Sequence, residues 1–188
     1  MSEDSEDGDN GTSFTMKMVL SGVRAKFPTV NQINTENLCA WIQNGSCPDV
    51  DDGNNKIILL DTRGENEHRV SHIKDATRID PDLEEVTSTL REIIANNEEK
   101  SLSIVCYCSV GYRSTRMAER LSKTYAKIKR GDRDIPSIDF YNLEGSLFKW
   151  ANESKPMVDI NNKPTIYAHP FSVVWGKLLN KPLRKSSL

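Results

Sequence analysis

With 188 residues the chain is long enough to bury one core and too short for two large domains. A net charge of -2 with 28% charged residues argues against a polyanion binder, so nucleic acid is not an expected partner. The longest apolar runs, such as Ile57 to Leu60, fall far short of the roughly 20 residues needed to cross a bilayer, and no membrane association is expected.

Residues 1–14 carry Glu3, Asp4, Glu6, Asp7 and Asp9 with almost no apolar group, and are expected to be a disordered acidic tail. This opening fits neither a secretory signal nor an Arg-rich presequence, so a cytoplasmic or nuclear location is expected. Residues 15–30 read as an N-terminal strap, with Val19, Leu20, Val23 and Phe27 at helix-like spacing. Thr35 reads as an N-cap, followed by a helix with Leu38, Trp41 and Ile42 on one face and Gly45 at its end. Cys39 on that helix is expected to pack rather than react.

The polar stretch 48–55 is predicted to be a loop feeding a buried strand from Lys56 to Leu60. After Pro81, Leu83, Val86, Leu90 and Ile93 or Ile94 recur at three-to-four spacing, predicting an amphipathic helix over 83–95. A second buried strand, Leu102 to Tyr107, precedes a helix over 114–128 that turns Met117, Ala118, Leu121 and Tyr125 inward. Buried strands alternating with amphipathic helices predict an α/β fold: a central, mainly parallel sheet with helices on both faces and a site at the strands' carboxyl ends. Residues 161–188 contain five basic residues and no acid. Phe171, Val174, Trp175 and Leu178 predict a helix over 172–179 whose apolar face docks on the domain or on a second copy of the chain.

The densest chemistry lies between that second strand and its helix, in Cys108-Ser109-Val110-Gly111-Tyr112-Arg113-Ser114. A loop here can turn successive backbone N–H groups toward the sulfur, and the positive end of the following helix faces the same point. Cysteine reacts as the thiolate, and a helix N-terminus beside a guanidinium lowers a thiol pKa. Cys108 is therefore the candidate nucleophile. Arg113, Ser109 and Ser114 are candidate donors to a bound anion, Gly111 leaves the backbone approachable, and Val110 and Tyr112 are expected to shape the rim. Asp61 and Arg63, at the end of the neighbouring strand, are expected to pair and brace the loop.

The Cys-to-Arg loop resembles that of single-domain members of the rhodanese family of sulfurtransferases. Two further blocks agree with the resemblance: Ile57 to Arg63 followed by Glu67, His72-Ile73 and Ala76, and Phe140 to Gly145 leading to Trp150. Together with the opening Ile33 to Leu38, the likeness covers about residues 31–160, leaving 161–188 as an extension expected to dock on the domain. Ser71, Lys74-Asp75 and Ser146 depart from the family's usual glycines and Pro-Gly, and are expected to alter the outer loops and with them the substrate entrance, not the sulfur chemistry.

The resemblance implies a ping-pong sulfur transfer through a persulfide on Cys108, from a small donor anion such as thiosulfate to a thiol or thioredoxin-like acceptor, with no metal or organic cofactor. It also implies two rivals. A dual-specificity phosphatase, or an arsenate reductase, of the same fold has five residues between cysteine and arginine where this chain has four. A non-enzymatic binding or redox-sensing module usually lacks the cysteine. Zinc is not expected, because Cys106-x-Cys108 has the wrong spacing for a knuckle, and Cys39, Cys47, Cys106 and Cys108 are all expected to be free thiols. Cys106 is expected to pack rather than resolve a disulfide, and His72 to fix a turn.

Overall fold

The computed structural model describes residues 13–45, 47, 55–132 and 134–187. Most of the acidic tail and of the 48–55 loop lies outside these residues. The chain opens with α1 (Phe14–Lys26), capped by the Ser13 hydroxyl, which accepts from Met16 N–H, and burying Met16, Leu20 and Val23. Strand β1 (Asn31–Ile33) and helix α2 (Thr35–Asn44) follow, then β2 (Asn55–Asp61), α3 (Glu65–Val70), β3 (Thr77–Arg78) and α4 (Thr87–Ala95). Next come β4 (Ser101–Tyr107), α5 (Tyr112–Gly131), β5 (Ser137–Leu143) and α6 (Ser146–Asn152), and a small hairpin, β6 (Met157–Val158) with β7 (Pro164–Thr165).

Five strands form one parallel sheet in the order β1-β5-β4-β2-β3. Alternation along β4 divides the core. Val105 and Tyr107 point to the side holding Leu38 and Trp41 of α2 and Leu147, Phe148 and Trp150 of α6. Leu102, Ile104 and Cys106 point to the other, with Leu90 of α4 and Met117, Ala118 and Leu121 of α5. This is the doubly covered parallel sheet expected of near-continuous apolar strands. Pairing of β2 with β4 runs to Asp61 opposite Tyr107, and Thr62 N–H donates to Tyr107 O at 2.8 Å. The chain after β2 and the chain after β4 therefore leave the sheet side by side, which places Arg63 and Glu67 next to the Cys108 loop.

Several boundaries differ from the sequence reading. Asn34 caps α2, its side chain accepting from Asn37 N–H at 2.7 Å, while Thr35 is the first helical residue and hydrogen-bonds to Glu153. Helix α4 begins at Thr87 rather than residue 83, because the Asp80 carboxylate takes Asp82 N–H and its carbonyl takes Leu83 N–H, holding 80–83 in a turn. Helix α5 starts two residues earlier than predicted.

The C-terminal segment differs most. Instead of an α-helix over 172–179 it forms a short 3-10 turn, Trp175–Leu178, and a second one at Lys181–Leu183. A Cβ on Gly176 would lie 2.8 Å from the Pro170 Cβ, so the chain doubles back too tightly for a regular helix. Leu178 and Leu179 are buried with Ala168, whereas Phe171, Val174 and Trp175 of the predicted docking face stay exposed.

Candidate active site

Cys108 is the first residue after β4, and its chain direction reverses within three residues. Gly111 makes the reversal at a φ of 117°, a conformation that only glycine adopts without strain. The turn brings Gly111 N–H to 3.1 Å from Cys108 Sγ, and α5 begins at the next residue. The sulfur thus faces an amide donor and the N-terminus of a 20-residue helix. Burial by itself would push the thiol pKa up. The charge of Arg113, with Ser114 and the Gly111 amide, outweighs it and brings Cys108 below an ordinary cysteine. By contrast burial raises Cys106, which lies among Ile104, Met117 and Leu121 on the far side of the sheet.

The loop is held from behind by α6. Cys108 N–H donates to Ser146 Oγ at 3.1 Å, and the Cys108 and Ser109 carbonyls accept from Leu147 and Phe148 N–H, both at 3.0 Å. Two of the first amides of α6, which have no intrahelical partner, are thus satisfied by the Cys108 loop. The sequence places Ser146 in an outer loop, away from the sulfur. It sits instead at a φ of 51°, following Gly145 at 73°, and its hydroxyl, donating to Leu143 O, is a direct contact of the Cys108 amide.

Arg113 also departs from expectation. Its guanidinium does not present a free fork to an anion: Nη1 and Nη2 each lie 2.9 Å from an oxygen of Glu67. The Ser109 hydroxyl donates to the same carboxylate at 2.6 Å, and Gly64 N–H donates to it at 3.0 Å. Burial opposes ionisation of Glu67, and hydrogen bonding and charge from Arg113 more than reverse that, so its pKa is lowered. The Ser114 hydroxyl is likewise already engaged, 2.6 Å from Asn142 Oδ1 and 3.2 Å from the Gly111 carbonyl of the loop. Val110 is buried in the core rather than on the rim. Tyr112 is at the rim, with its ring against Phe27 and its hydroxyl 2.6 Å from Lys26 Nζ.

Asp61 and Arg63 do pair, at 2.6 and 2.8 Å, both with no exposed side-chain surface. Arg63 also donates to the carbonyls of Glu67 and Ser71, so it fixes α3 and the chain after it. His68 Nδ1 lies 2.9 Å from Asp61 Oδ2, and since a carboxylate only accepts, Nδ1 carries the proton. His72 stacks on His68 at 4.0 Å and donates from Nδ1 to His68 O, and its backbone pairs with Val158 of β6. Asp75 takes the left-handed backbone, φ 63°, in the turn where the Pro-Gly is replaced. The two residues that sequence reading missed are Glu67, visible only as part of an acidic turn, and Ser146.

The extension reaches the same place. The Phe171 ring centroid lies 4.4 Å from the Arg113 guanidinium carbon, covering one of its faces. Among the described residues, a cavity of about 820 Å³ opens elsewhere, between Ile57, Ile79, Leu83 and Ile93 at the β2–β3 edge, and no residue of the loop lines it. No group of histidine, cysteine and acidic side chains among the described residues is placed to hold a metal ion. No described helix is long and apolar enough to cross a membrane.

A family model for the rhodanese-like domain matches residues 49–153. No curated protein matches the chain. Among solved structures the chain is similar to Saccharomyces cerevisiae Ygr203w, described as a homolog of single-domain rhodanese and Cdc25 phosphatase catalytic domain. That similarity has a TM-score of 0.52 and 19% identity, over 66% of this chain and 81% of that one. A rhodanese-related protein from Thermoplasma volcanium is similar at a TM-score of 0.44 and 23% identity, over 68% of this chain and 97% of that one. A thiosulfate sulfurtransferase from Pseudomonas aeruginosa is similar at 0.48 and 12%, over 77% of this chain and 23% of that one. At these identities the likeness concerns the fold alone.

Proposed function

The chain belongs to the rhodanese-like domain family, and from that premise we propose that it is a sulfurtransferase whose Cys108 carries the transferred sulfur as a persulfide. The observation that carries this reading is the Gly111 N–H aimed at Cys108 Sγ at 3.1 Å, at the head of α5. An amide, a helix N-terminus and the Arg113 charge favour an anionic sulfur there, first as thiolate and then as persulfide anion.

In the first half-reaction the Cys108 thiolate attacks the outer sulfur of a donor such as thiosulfate. The donor's S–S bond breaks, sulfite leaves with the bonding pair, and a sulfur–sulfur bond to Cys108 replaces it. In the second, an acceptor thiolate or cyanide attacks the outer persulfide sulfur and the Cys108 thiolate departs with its electron pair. Atoms and electrons balance without metal or organic cofactor. Gly111 N–H and α5 face negative charge in both halves, so the same groups serve both steps.

The phosphatase and arsenate reductase alternatives have less support. A phosphoryl transition state calls for a guanidinium fork on its equatorial oxygens, and the Arg113 fork is occupied by Glu67. The reading is tested by steady-state assay of thiocyanate formation from thiosulfate and cyanide with the wild type and Cys108→Ser. Turnover by the wild type and none by the variant is expected; equal turnover by the two would overturn it.

A further inference from the structure

Resting on the sulfurtransferase reading, we propose that the turn at 171–175 is the docking surface for the acceptor, and that the acceptor is a protein thiol set in an apolar patch with an acidic rim. The turn adjoins the nucleophile's loop, because Phe171 stacks on Arg113. Four of its five residues are apolar and open to solvent: Val173 at 87% and Val174 at 71% exposure, with Phe171 and Trp175 about half as exposed. Contiguous exposed apolar side chains are unfavourable in water and mark contact surfaces.

This is a built surface rather than a loose tail. Phe171 is held in the left-handed region, φ 61°, with its N–H donating to His169 Nδ1 at 3.0 Å. Trp175 N–H donates to Ser172 Oγ at 3.3 Å, and Gly176 is wedged against Pro170. Beneath it, Leu178 and Leu179 are buried, and Asn152 binds the backbone of Leu178 and Asn180, each at 2.8 Å. An aromatic residue in that backbone region is strained, and such strain persists where the surroundings enforce it.

Charge selects the partner. Residues 161–188 hold five cations and no acid although the whole chain is at -2. Lys163, Lys177, Lys181, Arg184 and Lys185 are all exposed. The chemistry gives the reason for docking here: Cys108 is 1% exposed, so an accepting sulfur has to be brought up to it, and the surface adjoining the loop is placed to do so.

The test separates donor from acceptor. Wild type and the double variant Val173→Ser, Val174→Ser are loaded with thiosulfate, and the sulfur on Cys108 is confirmed by mass. Discharge is then followed in a single turnover to cyanide and to two synthetic peptides. Each peptide has one cysteine between leucines, flanked by glutamates in one and by lysines in the other. Dividing each peptide rate by that peptide's rate with a small disulfide removes differences in thiolate fraction. The expected result is about tenfold faster normalised discharge to the glutamate peptide at low salt, narrowing at high salt. In the double variant the peptide-to-cyanide ratio should fall by about tenfold.

Equal normalised rates, or an unchanged ratio in the variant, would overturn the proposal. A concentration-dependent dimer lost in the variant would assign the face to a second copy and overturn it too. Failure of thiosulfate to load Cys108, seen before any acceptor is added, would overturn the parent reading and this one with it.

Discussion

Glu67 and Arg113 lie 46 residues apart in sequence and meet through two parallel contacts of 2.9 Å, each carboxylate oxygen facing one guanidinium nitrogen. With Ser109 and Gly64 N–H on the same carboxylate, Glu67 ties α3 to the Cys108 loop. Because the pair is largely buried, Glu67→Ala leaves a guanidinium, a hydroxyl and an amide without their acceptor. It should destabilise the protein by about 3 kcal/mol in urea unfolding and slow sulfur transfer. Glu67→Gln, which keeps acceptor and shape, should lose less of both. Wild-type stability in Glu67→Ala would show that the pair is ornamental.

The second prediction concerns the thiolate. Burial raises the Cys108 pKa, but the Arg113 charge, Ser114 and the Gly111 amide bring it down on balance. The rate of iodoacetamide alkylation at Cys108, followed by peptide mass, should therefore titrate with a midpoint below the roughly 8.5 of a free cysteine. Arg113→Leu should move the midpoint upward. A wild-type midpoint at or above that of free cysteine would contradict the electrostatic account.

Asp61 and Glu67 make stability depend on pH. Burial works against the Asp61 carboxylate, yet the Arg63 charge and the bond from His68 hold it well below the usual carboxylate range; Glu67 is lowered as well. A carboxylate depressed in the folded state contributes stability that is fully present above its unfolded pKa, about 3.9 for Asp and 4.3 for Glu. That contribution is lost as pH falls through the folded value. Urea midpoints should therefore fall steeply on acidification below about pH 4. Asp61→Asn leaves the buried Arg63 without its counter-charge and should cost about 3–5 kcal/mol at neutral pH, flattening the acid limb. Wild-type stability of this variant at pH 7 would refute the role given to the pair.

How much of this was legible in the sequence depends on how local each signal is. The strands announce themselves by apolar runs and α5 by its period, and the Cys108 loop by a turn residue and two charged or ionisable groups within six positions. Asp61 and Arg63 are two residues apart, and their pairing was readable. Glu67 and Ser146 act on the loop from 41 residues before Cys108 and 38 after it, and no spacing rule connects them to a sulfur. Arg113 was read as a free anion binder because its partner arrives through sheet pairing. The helix predicted at 172–179 failed because apolar spacing says nothing of a proline facing Gly176.

The extension supplies a fourth prediction. Removing residues 165–188 takes Ala168, Leu178 and Leu179 from the core and the Phe171 ring from Arg113. Each buried leucine side chain contributes on the order of 2 kcal/mol, so thermal unfolding should shift down by several degrees or more. The thiosulfate KM should also change, since the loop loses an aromatic wall. An unaltered melting temperature and KM would show that the extension neither packs nor adjoins the site.

Whether Cys108 carries the sulfur is read from the intact mass of the protein after mixing with thiosulfate. One added sulfur atom is expected, localised to Cys108 by peptide mapping, released by cyanide and absent in Cys108→Ser. No added mass, or sulfur found on Cys39, Cys47 or Cys106 instead, would contradict this role of Cys108.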